Sequence, residues 1–258
     1  MVKKARSLFQ KAREKLKWID PFHYVDLFVM PRVNPGDNKA IGTVVYIVSA
    51  FVFAWTFLFL LGLLLGTSSS MVIVMSASME PVLHRGDVVV LQGFASDSTQ
   101  IPSIDFSNQD IAGTPLQSFV AEYVFSGGEI PQLQSINFSG SQRLVIEKEG
   151  PIIIYYSEWQ KKPIIHRAIA KLVGSDGIFY ITKGDSVYNN TVDQHCGKIV
   201  LGIPEKNCIN FYPVRHDEAR GRVIATIPLI GCAKIWLMDN IPSMLFTGRL
   251  PEDFKGVC

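Results

Sequence analysis

Between Lys39 and Glu80 the chain carries no charged residue, and residues 41–66 form an almost unbroken apolar run with Phe51, Phe53, Trp55, Phe57, Phe59 and a Leu-rich end. About 20 apolar residues suffice to cross a bilayer core as a helix, so this run predicts a transmembrane anchor over 41–66. It is too long, and begins too far along the chain, for the short apolar region of a cleaved leader. A core helix this apolar on every side would need a larger protein around it. Before the run, Ala5, Leu8, Phe9, Ala12, Leu16 and Ile19 recur at helical spacing, with Lys3, Lys4, Arg6, Lys11, Arg13, Lys15 and Lys17 between them. That pattern predicts a basic amphipathic helix suited to an anionic membrane surface, or to a partner protein, ended by Asp20-Pro21. Pro31 to Asp37 reads as a linker.

After the run the pattern shortens. Residues 71–75, 88–91, 144–146, 152–156, 164–170, 178–181, 223–227 and 235–238 are apolar or alternating stretches separated by turn residues such as His84-Arg85-Gly86-Asp87, Lys148-Glu149-Gly150 and Ser175-Asp176-Gly177. Many short strands with regular turns predict a mainly β domain. Pro228, Gly231 and Lys234 interrupt the 223–238 stretch, which therefore reads as strand–turn–strand and not as a second anchor. Residues 92–141 lack a clear period and read as a loop-rich insertion with a few strands. The predicted organisation is a cytoplasmic segment 1–40, an anchor 41–66 and an extracytoplasmic β domain 67–258.

Charge orients this arrangement. Residues 1–40 hold nine Lys/Arg and four Asp/Glu, a net of +5, which leaves sixteen against nineteen, or −3, for 41–258. Excess Lys/Arg beside the anchor predicts a cytoplasmic N-terminus. The overall net charge of +2 gives no indication of nucleic-acid binding. The four cysteines, Cys196, Cys208, Cys232 and Cys258, all fall on the predicted outer side. Cys196 and Cys208 could close a short loop, worth about 3 kcal/mol in the chain-entropy model; free thiols are the alternative. No Cys/His spacing suggests a metal site, and no cofactor is expected. Asn137-Phe138-Ser139 and Asn189-Asn190-Thr191 have the N-x-S/T form, a triplet common by chance.

Three segments carry candidate chemistry: Ser76-Ala77-Ser78-Met79-Glu80-Pro81, Ile164-Ile165-His166-Arg167, and Thr182-Lys183-Gly184-Asp185 followed by Asn189-Asn190-Thr191-Val192-Asp193. They supply a serine at a strand end, a histidine in a strand and carboxylates in a loop. A serine hydroxyl needs a neighbouring base to accept its proton as it attacks a carbonyl. A carboxylate on the other imidazole nitrogen fixes the tautomer and stabilises the imidazolium.

The wording and order of these segments resemble the signal peptidase I family. Ser78-Met79-Glu80-Pro81 with Gly86-Asp87 resembles its nucleophile box. Ile165-His166-Arg167 resembles the base box in the form used by archaeal and endoplasmic-reticulum members, which place histidine where bacterial members place lysine. Thr182-Lys183-Gly184-Asp185 resembles the acidic box, and Gly221-Arg222-Val223 with Ile227-Pro228-Leu229-Ile230-Gly231 the C-terminal sheet. The resemblance covers roughly 41–91 and 142–237. It implies a signal-peptidase-like β catalytic domain in which Ser78 is the nucleophile and His166 the base. It also implies that Ser76 adds a hydroxyl to the oxyanion hole beside the Ser78 N–H. The acidic box departs from the pattern: Ser186-Val187-Tyr188 intervenes before the asparagines, and Asp193 lies eight residues past Asp185. Asp193 is favoured as the triad acid, with Asp185 as a structural or electrostatic support. With three residues inserted, Gln194 stands where an acid is often found.

The activity so implied is removal of signal peptides from secreted and membrane preproteins, at the plasma membrane or the endoplasmic-reticulum membrane. Preproteins, lipid and accessory subunits would be the partners. Ser78 lies about 12 residues past the anchor, and extended chain spans at most about 3.3–3.6 Å per residue, so the nucleophile stays near the membrane surface. Substrate would add as a β-strand, with small side chains at the cleavage site. The alternatives are a processing protease of narrow specificity and a catalytically silent membrane scaffold or receptor of the same fold. His84, Arg85 and Asp87 read as turn residues, Arg167 as the partner of an acid, and Lys183 as a lysine base only remotely. His195 beside the acidic box has no assigned role.

Overall fold

The computed structural model describes residues 17–18, 20–93, 101–196, 199–200, 203–204 and 208–247. The amphipathic segment before Lys17, and Cys258, lie outside them. The chain divides into two compact units, Met1–Leu64 and Leu65–Cys258.

In the first unit Asp20-Pro21 starts a helix. The Asp20 carboxylate accepts the Phe22 N–H at 2.9 Å and Pro21 takes the first helical position, where a missing N–H costs nothing. Short helical pieces run through Pro21–Tyr24, Val25–Val29 and Met30–Val33, the middle one a π-turn. Part of the expected linker is therefore helical, and the break falls at residues 34–38. Helix α1, Lys39–Leu65, follows. It is the one helix among the described residues long and apolar enough to cross a membrane.

The second unit is mainly β. Its large sheet contains β1 (Met71–Ile73), β2 (Val88–Gln92), β3 (Ser103–Phe106), β7 (Ile152–Ser157), β8 (Lys162–Gly174), β9 (Gly177–Lys183), β12 (Val214–Arg215) and β13 (Gly221–Ile227). The order is β1-β2-β13-β7-β8-β9-β12, with β3 parallel to β8. Strands β4 (Val120–Phe125), β5 (Leu133–Phe138) and β6 (Arg143–Val145) form a second antiparallel sheet, and β10 (Ile199–Val200) pairs with β11 (Ile203–Pro204). The long strand β8 pairs with β7 on one side and β9 on the other. Its alternation buries Ile164, His166 and Ala168 on one face. A register shift between Ala168 and Ala170 then turns Ile169 inward as well.

Residues 101–141 are more ordered than their sequence suggests. Ile136, Phe138, Phe106, Leu116 and Phe119 pack in one apolar cluster with Leu172, Phe179 and Ile181 of β8 and β9. Bulges at Val120/Glu122 and Val124/Phe125 interrupt the alternation of β4, which is why no period shows. Strand β6 joins this sheet, while β7 joins the large one, so Lys148-Glu149-Gly150 connects two sheets.

The expectation of a strand at 235–238 is wrong: Cys232–Thr247 is helix α2. Strand β13 already has β2 on one edge and β7 on the other. The segment after it cannot fold back onto β13, so its backbone groups must be satisfied internally. Gly231 makes the crossing: its N–H donates to the Gly86 carbonyl at 2.8 Å, and a Cβ there would lie 2.5 Å from the Ile73 side chain.

Candidate active site

Ser78 sits on a tight turn between β1 and β2. Hydrogen bonds from Glu80 N–H to Ala77 O and from Val82 and Leu83 N–H to Met79 O wind this turn into a single helical coil. The Met79 side chain, 1% exposed, anchors it among Val74, Leu83, Val89 and Leu91. Below it, the Asp87 carboxylate accepts the N–H of His84 at 2.8 Å and of Leu229 at 3.2 Å. The turn role expected of His84 and Asp87 is what their contacts describe. The anchored turn leaves Ser78 half-buried, facing a cleft of about 620 Å³.

His166 comes from β8, opposite Ile153 of β7, and is buried. Its Nε2 lies 3.0 Å from Ser78 Oγ, and its Nδ1 lies 2.7 Å from Asp193 Oδ2. Asp193 follows β9 and is tied back to it by its own N–H, donated to Thr182 O at 2.9 Å. The Oδ2 atom also accepts the Thr182 hydroxyl at 2.6 Å and the Tyr155 hydroxyl at 2.8 Å. Burial pushes the Asp193 carboxyl up. The charge that His166 carries when protonated and the three donated hydrogen bonds outweigh that and hold it below its ordinary value. Burial, reinforced by the Asp193 charge, pushes the Tyr155 hydroxyl well above its ordinary value, so it stays a donor.

Asp185 does not touch His166. It pairs with Arg167, whose Nε lies 2.9 Å from Oδ1 and whose Nη2 lies 2.6 Å from Oδ2. The Arg167 Nη1 donates to Gly150 O at 2.7 Å. This fork joins the base strand to the acidic loop. Lys183 is buried and donates to Gly184 O at 3.0 Å. Burial, with Lys148 nearby, lowers its pKa. Ser76 is exposed, its Oγ 3.2 Å from Ser78 Oγ.

The chain is similar to proteins described as signal peptidase complex catalytic subunit SEC11 in Saccharomyces cerevisiae strains YJM789, RM11-1a and JAY291. Each is 23% identical over 193 residues, covering 74% of this chain and 80% of the relative. No protein-family model matches. This distant similarity supports the resemblance to the signal peptidase I family. The Ser78, His166 and Asp193 contacts lie where the three segments that carry the resemblance meet in space.

Two residues that hydrogen-bond Asp193 are not legible in the sequence. Tyr155 lies two residues from Ile153 in the continuous apolar run of β7, buried through Tyr155, which does not single it out. Thr182 belongs to the Thr182-Lys183-Gly184-Asp185 segment, whose wording gives it no role. Gln194 is fully buried and locks Thr182: its Oε1 accepts the Thr182 N–H, and its Nε2 donates to Thr182 Oγ1, both at 3.1 Å. With that lone pair occupied, the Thr182 proton is directed at Asp193. A carboxylate at 194 would offer no donor and would face Asp193 with like charge. Behind this loop His195 stacks on Tyr123 of β4, with ring centroids 4.2 Å apart, and burial lowers its pKa. Cys196 and Cys208 form a disulfide with S–S 2.01 Å. Just beyond it, Ile209 and Asn210 N–H both donate to Asp193 O, at 3.3 and 3.2 Å. Among the described residues no group of His, Cys, Asp and Glu has the arrangement of a metal site.

Proposed function

We propose that the protein is a membrane-anchored serine endopeptidase that removes signal peptides from preproteins at the outer or lumenal membrane face. The single observation that carries this reading is the continuous line from Ser78 Oγ through both imidazole nitrogens to Asp193, 3.0 and 2.7 Å long. In this reading the Asp193 carboxylate accepts Nδ1–H, which leaves Nε2 with its lone pair toward Ser78. As Ser78 Oγ attacks the scissile carbonyl, its proton passes to Nε2, and Asp193 stabilises the imidazolium. The imidazolium then returns the proton to the leaving amine. The Ser78 N–H and the Ser76 hydroxyl stand near the oxyanion. Asp185 and Arg167 hold the base strand against the acidic loop.

The cleft supports a polypeptide substrate. Residues 72–75 and 162–165 both line it. Among the described strands Met71–Ile73 pairs only with β2 and Lys162–Ile165 only with β7, so each has a second edge with which an extended chain can pair. The SEC11 relatives are named as the catalytic subunit of a complex. By analogy, accessory subunits and an endoplasmic-reticulum location are open to this chain as well.

The test is cleavage of a secretory precursor by full-length protein in lipid, wild type against Ser78→Ala. Wild type should release the signal peptide. Ser78→Ala should lose on the order of 10⁶ in kcat, and Asp193→Asn about 10⁴. Equal cleavage by wild type and Ser78→Ala would remove Ser78 as nucleophile. A folded wild type that cuts no precursor would favour the silent scaffold.

A further inference from the structure

One residue lining the cleft, Tyr188, belongs to a short segment at which the acidic box departs from the pattern it resembles. Ser186-Val187-Tyr188 stands between Gly184-Asp185 and the paired asparagines, and its backbone is held at both ends. The Ser186 N–H donates to the Ser78 carbonyl at 3.0 Å, and the Asn189 N–H closes a turn onto Ser186 O at 2.9 Å. From the second sheet, Gln132 Nε2 donates to Val187 O at 2.8 Å and Leu133 N–H donates to Asn190 O at 2.9 Å. A backbone so fixed does not need its side chains for support. Tyr188 is 81% exposed and lines the cleft. The cleft lining mixes aliphatic side chains, Val72, Ile73 and Pro163 among them, with polar ones such as Gln160, Asn190 and Thr191, and Lys162 is its one exposed charge.

We propose that Tyr188 is a specificity-determining residue that packs against a large apolar side chain of the polypeptide substrate, a few residues from the scissile bond. The inference rests on reading the cleft as a peptide-binding site. An aromatic ring on a rigid loop covers apolar surface at low entropic cost. Its loop begins at the nucleophile's own carbonyl, so the side chain it meets belongs to the segment threaded past Ser78. Substrates with small residues flanking the bond would then be ranked by a bulky residue elsewhere. The second sheet holds the loop that presents the ring.

The experiment measures binding without turnover. Full-length Ser78→Ala protein in detergent is titrated with labelled peptides that keep alanines around the scissile bond. Phe or Ala is placed at one further position at a time, within about six residues. At one position Phe should bind about tenfold tighter than Ala, the low end of discrimination by an apolar contact. Adding Tyr188→Ala should bring that ratio to about one, and adding Tyr188→Phe should keep it. A ratio that survives Tyr188→Ala, or no position that distinguishes Phe from Ala, overturns the proposal. The unfolding temperature of each variant separates lost contact from lost fold. Cleavage of the same peptides by protein with Ser78 intact is read separately. If nothing is cut but the ratio collapses as expected, the Tyr188 contact stands and the peptidase reading fails.

Discussion

Three hydrogen bonds converge on one oxygen of Asp193, and the Thr182 bond is the shortest at 2.6 Å. Thr182 does not touch Ser78; it acts through Asp193. Thr182→Val, close in shape but without a hydroxyl, should lower kcat by about 10–100-fold with little change in KM. Thr182→Ser should recover most of it. Steady-state kinetics on a peptide substrate would check the split, since a merely structural role would not be rescued by the smaller serine. The pH behaviour of Asp193 follows from the sign of its shift. Its carboxyl titrates below the ordinary 3.8, so as pH falls the unfolded chain takes up the proton first. Its contribution to stability is complete above 3.8 and fades as pH drops through the lower folded value. Urea unfolding should therefore weaken more steeply with falling pH in wild type than in Asp193→Asn in that acid window.

The acidic loop owes its position to contacts with three neighbours: Arg167 of β8, the Ser78 turn and the second sheet. Gly184 is the tightest point. A Cβ there would lie 2.0 Å from Asn189 Nδ2 and 2.6 Å from the Ser78 carbonyl. The second of these is backbone and cannot swing aside. Gly184→Ala should displace the loop from the nucleophile turn and cost about 10²-fold in kcat, the scale of an ångström-sized misplacement. A thermal melt in parallel should show a loss much smaller than that of a core truncation. Strand β8 is legible from its alternation, and the His166 side chain follows from it. Helix α2 was not legible, because the strand reading of 235–238 depended on a free sheet edge that β13 does not have.

The second sheet and the large sheet share one apolar cluster, in which Ile136 and Leu172 are both fully buried. They should therefore unfold together. Ile136→Ala should cost about 2–5 kcal/mol and lower the denaturant midpoint of Leu65–Cys258 as a single transition. Two separated transitions would show that the sheets are independent.

Much of this plan was readable along the chain. The apolar run, its charge asymmetry and the order of Ser, His and Gly-Asp boxes are local patterns, and each needs only neighbouring residues to be recognised. Most strands of the large sheet, though not β3 or β12, follow from short apolar or alternating runs for the same reason. Which of Asp185 and Asp193 faces His166, the hydrogen bonds from Tyr155 and Thr182, and the strands within 101–141 needed the folded state. Two aspartates eight residues apart are chemically alike; what distinguishes them is that Arg167 captures one and His166 faces the other. Hydrogen bonds and shared cores join residues remote in sequence, and only packing brings those partners within reach.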